Sequence, residues 1–238
     1  MDAMRQKKLS VIIPVYNEER TITAVLERVM AAAIPGWEQE IIVVDDGSRD
    51  RSKLKAEGLK QGTGPEKIII LSHEKNQGKG AAIRTGIAAA AGDAIIIQDA
   101  DLEYDPSDWS AMIAEFEKYD GAVIYGSREL SANRRGYPHY VLGVKLLTKL
   151  NNVLYGSQLS DIYTCYKLFP RALIQSIPLQ STGFEFEAEV TASLLKKGVP
   201  IYEVPIRYSP RSFRDGKKIR WQDGITGIQT LITHRFFS

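Results

Sequence analysis

The sequence predicts a single α/β domain built around a mostly parallel central β-sheet. In the first half of the chain, apolar β-branched segments alternate repeatedly with segments of helical spacing. The apolar segments are continuous and do not alternate with polar residues, which is typical of parallel strands buried on both faces. The chain has 238 residues, 44% hydrophobic and 25% charged, which is a globular composition. No segment has the composition of a linker, so we expect one domain over residues 1–238.

The first half contains four predicted strands, each followed by polar residues. The apolar runs that predict them lie at residues 9–15, 40–44, 67–71 and 94–98. Helical patterns follow the first three strands, the first containing Ile22, Val25, Leu26 and Val29 and the others spanning residues 51–61 and 79–91. Ligands of open α/β sheets bind at the carboxyl ends of strands, so the polar residues there are the first candidates for a site.

The second half departs from this regular alternation. Helices are predicted at residues 106–118, 140–154 and 186–197, and strands at 121–127, 166–169 and 201–206. Residues 205–220 contain six basic residues and one acid, with Ser, Pro and Gly between them. We expect this segment to be a mobile basic loop, although a solvated run of charges is the usual explanation. Residues 225–238 are predicted to form an amphipathic C-terminal tail.

Composition excludes several function classes. Lys plus Arg total 31 and Asp plus Glu total 29, so the net charge of +2 gives no reason to expect a nucleic acid partner. The single cysteine, Cys165, excludes an intrachain disulfide and a cysteine-rich zinc site, and we expect it to be packed rather than reactive. Neither a signal peptide nor a run of about 18 to 20 apolar residues is present. We therefore expect a cytoplasmic protein.

Carboxylates follow three of the predicted strands. The polar pairs are Asn17 with Glu18, Asp45 with Asp46, and Asp99 with Asp101. Because these strand ends meet at one edge of the sheet, the carboxylates repel one another unless a cation balances them. Oxygen ligands of this kind favour Mg²⁺ or Mn²⁺. The alternative is that they are turns and helix caps, to which we assign Asp50.

Five motifs resemble those of a known enzyme family. They are SVIIPVYNEE at residues 10–19, EIIVVDDGSRD at 40–50, NQGKGAAIRTG at 76–86, QDADLEYDP at 98–106 and GSR at 126–128. Their order and spacing are similar to those of inverting family 2 glycosyltransferases of the GT-A fold, in particular polyprenyl (dolichyl) phosphate mannose or glucose synthases. The resemblance covers roughly residues 9 to 224.

The resemblance implies roles for individual positions. It assigns the nucleoside of a UDP- or GDP-sugar to Pro14, Tyr16, Glu18 and Asp46. It assigns the diphosphate and a divalent cation to Asp99, Ala100, Asp101 and Glu103, with Asp101 as the first ligand. It also brings Arg128, Arg211 and Lys217 to the same pocket, and it makes residues 205–220 a phosphate-binding loop. Residues 76–80, including Lys79, form a loop before a helix whose backbone amides we expect to be suited to an anion.

The acceptor side is less defined by the sequence. Residues 161–169 resemble the acceptor-side motif of the family. Among the acids of GFEFEAE, which also suit a helix start, we choose Glu187 for the acceptor pocket. Residues 140–155 are amphipathic, and with Arg134 and Arg135 nearby they suit either core packing or peripheral contact with a membrane.

The function implied by the resemblance is inverting transfer of a hexose to a polyprenyl phosphate. An ionised phosphate needs no general base, whereas a hydroxyl acceptor does, and no carboxylate beyond the donor cluster is evident as that base. Transfer to a saccharide or protein hydroxyl in cell-surface polysaccharide synthesis stays open as an alternative. Outside this class, a nucleotidyltransferase or an inactive nucleotide-binding module has the same kinds of strands and carboxylates. The sequence does not distinguish a monomer from a homodimer.

Overall fold

A seven-stranded β-sheet organises the structure, a computed structural model that describes residues 6–63, 68–133, 136–212, 218 and 220–237. The strands are β1 (Lys7–Val15), β2 (Trp37–Asp45), β3 (Ile68–Ser72), β4 (Ala94–Ile97), β5 (Val123–Ser127), β6 (Lys167–Pro170) and β7 (Ile201–Pro205). Their order is β3-β2-β1-β4-β6-β5-β7. Strand β6 is antiparallel to both of its neighbours, and the other neighbouring pairs are parallel. The predicted mostly parallel α/β sheet is confirmed.

The described residues also form eight α-helices. They are α1 (Ile22–Ala31), α2 (Ser52–Thr63), α3 (Lys79–Ala89), α4 (Trp109–Phe116), α5 (Pro138–Tyr155), α6 (Arg171–Gln175), α7 (Phe186–Lys196) and α8 (Trp221–Phe236). The predicted helix at 106–118 divides into a 3₁₀ turn, Pro106–Asp108, and the shorter α4. Helix α6 was not predicted, because five residues are too few to show a helical period.

Two apolar clusters hold these elements together. The larger one contains the buried faces of the sheet strands and of α1, α3 and α4. The smaller one joins α5, α7 and α8 through residues that include Leu147, Ala188 and Leu231. Cys165 is buried, as expected from the sequence. Within the described ranges, no helix combines the length and apolarity needed to cross a membrane.

Candidate active site

A cavity of about 870 Å³ opens at the carboxyl ends of β1, β2, β4 and β5. Twelve of the residues predicted from the sequence line it: Pro14, Tyr16, Glu18, Asp46, Lys79, Asp99, Ala100, Asp101, Glu103, Arg128, Glu187 and Arg211. The remaining one, Lys217, lies outside the described residues, as do Arg134 and Arg135. The structure therefore brings the acidic strand ends and Arg211 of the basic segment to one cavity.

Asp101 is a buried carboxyl group with the carboxylates of Asp99 and Glu103 nearby. Burial and the negative charges of Asp99 and Glu103 raise the pKa of Asp101 to about 7. Its Oδ1 accepts a hydrogen bond from the backbone N–H of Glu103 at 3.1 Å, and its Oδ2 lies 3.2 Å from Nη2 of Arg211. Crowded carboxylate oxygens of this kind fit a hard divalent cation, whose charge relieves the repulsion.

Asp99 is neutralised by a lysine from the start of α3. Nζ of Lys79 lies 2.7 Å from Oδ1 of Asp99. Burial alone would raise the pKa of Asp99, but the charge and hydrogen bond of Lys79 outweigh it, and the pKa is lowered. The pKa of Lys79 is raised well above its ordinary value, because Asp99 and other negative groups outweigh its burial. Lys79 therefore binds a carboxylate within the described structure.

The basic segment reaches the cavity next to the end of β1 through Arg211 and Lys218. The guanidinium of Arg211 donates to both carboxylate oxygens of Glu18, at 3.1 and 3.0 Å. Nζ of Lys218 lies 2.6 Å from Oε1 of Glu18 and also donates to the carbonyl oxygen of Tyr16. Lys218 was not among the residues chosen from the sequence. One run of basic residues offered no means of deciding which of them face inward.

Glu103 accepts hydrogen bonds from the chain segment that leads to Arg211. Its Oε1 accepts from the backbone N–H of Arg211 at 2.8 Å, and its Oε2 accepts from the hydroxyl of Tyr208 at 2.7 Å. In the part of the chain that the structure describes, no three His, Cys, Asp or Glu side chains are grouped as a metal site. The assignment of Glu103 as a metal ligand stays a prediction. Through these two hydrogen bonds, Glu103 holds residues 208–211 against the turn that follows β4.

Asp46 organises the loop that precedes α3. Its Oδ1 accepts from the backbone N–H of Gln77 at 2.8 Å, and its Oδ2 accepts from Gly78 N–H at 2.8 Å and Asn76 Nδ2 at 2.9 Å. Nδ1 of His73 lies 2.7 Å from the same carboxylate. The amides of Gln77 and Gly78 therefore bind Asp46 in this structure, and the suitability of the loop's amides for a ligand anion stays a prediction.

Arg128 is held by a carboxylate that was not selected from the sequence. Its Nε and Nη2 donate to Asp161 at 2.7 and 2.9 Å, and the guanidinium lies 5.0 Å from the ring centroid of Tyr208. Burial alone would raise the pKa of Asp161, but Arg128 outweighs it, and the pKa is lowered. Glu203 on β7 fixes the turn by accepting the backbone N–H of Asp161 at 3.0 Å. The pairing was not evident because 33 residues separate Arg128 from Asp161.

Glu187 lies at the start of α7 and is 3% exposed. Its Oε2 accepts from the ammonium of Lys167, and its Oε1 lies 3.6 Å from Nζ of Lys79. Glu187 therefore borders the cavity as one member of a group of charged residues. The sequence offered no indication of Lys167, which lies in an otherwise apolar strand.

Similarity to curated proteins extends over most of the chain. Dolichyl-phosphate beta-glucosyltransferase of Drosophila melanogaster is 31% identical over 233 residues, covering 89% of this chain and 69% of that protein. Low-salt glycan biosynthesis hexosyltransferase Agl6 of Haloferax volcanii is 32% identical over 218 residues, covering 87% and 51%. An undecaprenyl-phosphate 4-deoxy-4-formamido-L-arabinose transferase of Pseudomonas fluorescens is 31% identical over 213 residues, covering 88% and 59%. The chain thus spans about half to two thirds of the length of these relatives.

Solved structures share the fold at lower identity. Glucosyl-3-phosphoglycerate synthase of Mycobacterium tuberculosis, in complex with Mn²⁺, UDP and glucosyl-3-phosphoglycerate, has a TM-score of 0.74 at 20% identity. The similarity covers 96% of this chain and 80% of that one. The family described as Glycosyl transferase family 2 matches residues 10–177, which is more than half of the chain. The chain that folds around this cavity belongs to glycosyl transferase family 2.

Proposed function

We propose that this chain transfers a hexose from a nucleoside diphosphate sugar to a polyprenyl phosphate and inverts the anomeric configuration. The observation that supports this most is the charge distribution in one cavity. Asp99, Asp101, Arg128 and Arg211 all line it, and Nη2 of Arg211 lies 3.2 Å from Oδ2 of Asp101. The two arginines supply positive charge for phosphates. A donor diphosphate and an acceptor phosphate both need such cations.

The donor lies, in this proposal, along the ends of β1, β2 and β4. Pro14, Tyr16, Glu18 and Asp46 border the nucleoside, while Ala100 and Asp101 face the diphosphate. Asp101, with Asp99 beside it, would hold Mg²⁺ or Mn²⁺ together with donor phosphates, since such ions bind one or two carboxylates in nucleotide sites. The ion supplies positive charge that offsets charge on the departing diphosphate. Arg211, and Lys217 in the same segment, act on that charge as well.

The acceptor oxygen attacks the anomeric carbon on the face opposite the diphosphate. A new C–O bond forms while the bond to the diphosphate breaks, and the electron pair leaves with the diphosphate. A phosphate oxygen is already ionised and needs no base. On the acceptor side, Asp161 has a lowered pKa and binds Arg128, and Glu187 binds two lysines. A hydroxyl acceptor would need one of these to accept a proton, so the geometry favours phosphate.

Two exposed apolar stripes beside the cavity support acceptor delivery from a membrane surface. On α8 the stripe has the spacing of one helix face and consists of Trp221, Ile225, Ile228, Ile232 and Phe236. On α5 it consists of Leu142, Leu146 and Val153. Helix α5 also lines the cavity through Tyr140, Val141 and Val144. We propose peripheral contact of these helices with the membrane, at its cytoplasmic face.

A donor and acceptor panel tests the proposal. Radiolabelled UDP-glucose and GDP-mannose are supplied with Mn²⁺ and either a polyprenyl phosphate or a saccharide, and organic-extractable label and released nucleoside diphosphate are measured. Label in the organic phase that matches the released diphosphate supports a lipid phosphate acceptor. Label that stays in water supports a saccharide acceptor. Release of pyrophosphate would indicate a nucleotidyltransferase, and binding without turnover an inactive module.

A further inference from the structure

Lys167 is a fully buried lysine at the start of β6, with 0% of its side chain exposed. Lysine is almost never buried to this extent unless its charge is paired. Its ammonium donates to the carbonyl oxygens of Ile162 at 3.0 Å and Thr164 at 2.5 Å, and to Oε2 of Glu187. An ammonium has three donors, and each of them has an acceptor here. Lys167 is therefore held in one position.

Lys167 is the inner end of a chain of alternating charges that leads to the donor site. Oε2 of Glu187 binds Lys167, and Oε1 of Glu187 lies 3.6 Å from Nζ of Lys79. The same Nζ lies 2.7 Å from Oδ1 of Asp99. Glu187, Lys79 and Asp99 line the cavity. We propose that Lys167 is a positioning residue, which fixes Glu187 and thereby lets Lys79 bind Asp99 in the geometry that the donor site needs.

The distances explain why Lys167 matters although it is absent from the cavity wall. Lys79 is closer to Asp99 than to Glu187, because Glu187 already has Lys167 as a close partner. Without Lys167, Lys79 is the cation left within 4 Å of the Glu187 carboxylate among the residues that the structure describes. A buried carboxylate without a partner is costly, so Lys79 is expected to shift towards Glu187 and leave Asp99. Asp99 then repels Asp101 more strongly, and the donor site binds its ligand less well.

The test compares Lys167→Met with Lys167→Arg, Glu187→Gln and the double variant Lys167→Met/Glu187→Gln. Binding of UDP and of GDP in the presence of Mn²⁺ is measured by calorimetry, and Tm by thermal unfolding. Lys167→Met should weaken binding about tenfold, which is about 1.4 kcal/mol and lies within the range of interaction energies between coupled neighbouring groups. Lys167→Arg keeps the charge and should retain most of the affinity. The double variant should bind as well as Glu187→Gln, because no unpaired carboxylate competes for Lys79.

A matched control separates positioning from loss of stability. Ser10→Ala removes a buried hydrogen bond to Glu40, at the opposite end of β1 from the cavity, and should lower Tm without weakening nucleotide binding. The proposal is overturned if the double variant binds as weakly as Lys167→Met, or if Ser10→Ala weakens binding to the same extent. If Lys167→Met does not fold, folding and binding by the double variant support the proposal, and their absence overturns it.

The inference rests on the proposed function only in naming a nucleoside diphosphate as the ligand. A wild-type protein that binds Mn²⁺ with UDP or GDP but transfers no sugar would contradict the proposed function, while the contrast between variants would still test the role of Lys167. A wild-type protein that binds neither nucleotide would overturn both.

Discussion

Replacing Arg128 with methionine measures the contribution of its buried ion pair with Asp161. Arg128 donates to this carboxylate at 2.7 and 2.9 Å, and the side chain of Asp161 is 1% exposed. Methionine retains an apolar stem but leaves Asp161 buried without its guanidinium partner. Loss of one member of a buried pair costs about 3–5 kcal/mol. At roughly 2–4 °C per kcal/mol for a chain of this size, we expect Tm at neutral pH to fall by about 6–20 °C.

The pH dependence identifies Asp161 as the group responsible. Burial opposes ionisation of Asp161, yet Arg128 lowers its pKa below the ordinary value of 3.8. A carboxyl group whose pKa is lowered on folding stabilises the protein above its unfolded-state pKa, and this contribution is lost as pH falls through the folded-state pKa. The difference in Tm between wild type and Arg128→Met should therefore be largest at neutral pH and shrink below about pH 4.

Circular dichroism melting curves recorded from neutral to acid pH provide the measurement. Arg207→Met is the matched control, because Nε of Arg207 lies 2.9 Å from Oδ1 of Asp108 while its side chain is 61% exposed. An exposed pair contributes at most about 1 kcal/mol. If Arg128→Met lowers Tm no more than this control, or if its effect is independent of pH, the reasoning about the buried pair is refuted.

Three further predictions concern the site and its surroundings. Asp101→Asn should lower kcat about 100- to 1,000-fold, and near-normal turnover with saturating Mn²⁺ would contradict this. Its Tm should be unchanged or higher, because the raised pKa of Asp101 shows that the fold disfavours its charged form. Gly78→Ala should destabilise the protein by about 1–3 kcal/mol in denaturant titrations, because Gly78 has a φ of 103° and the new Cβ would lie 2.2 Å from a backbone oxygen. Its control, Gly58→Ala, adds a Cβ where there is open space and should not destabilise the protein. Ile225→Ser combined with Ile232→Ser should reduce the fraction that floats with phosphatidylglycerol vesicles, and unchanged flotation would exclude α8 as the membrane contact.

The sheet could be predicted from the sequence because buried parallel strands are continuous apolar runs. Each of the predicted strands overlaps an observed one, and the end of β1 at Val15 agrees with the prediction. The same pattern does not predict that β6 runs antiparallel to its neighbours. The four residues from Lys167 to Pro170 are compatible with either direction, and the direction is decided by pairing with β4 and β5.

The buried charged pairs next to the cavity could not be predicted from the sequence. Glu18 and Asp101 could be selected because they follow apolar strands, whose ends share one edge of the sheet. Asp161 and Lys167 have no such local mark, and their partners lie 33 and 20 residues away. A buried charge depends on a partner brought close by the tertiary fold, and a local pattern does not contain that information.

The charge balance of the cavity indicates where a divalent cation gains the most. Glu18, Asp99 and Asp161 each have a cation within 3.0 Å, so a metal ion at any of them displaces an existing partner. Asp101 shares Arg211 with Glu18, at a longer 3.2 Å, and burial together with neighbouring carboxylates raises its pKa. A cation placed at Asp101 relieves its repulsion by neighbouring carboxylates, whereas the charges of the other three acids are already balanced by their partners. Ionisation of Asp101 and binding of the cation are therefore coupled, and cation affinity should fall as this carboxyl group takes up its proton.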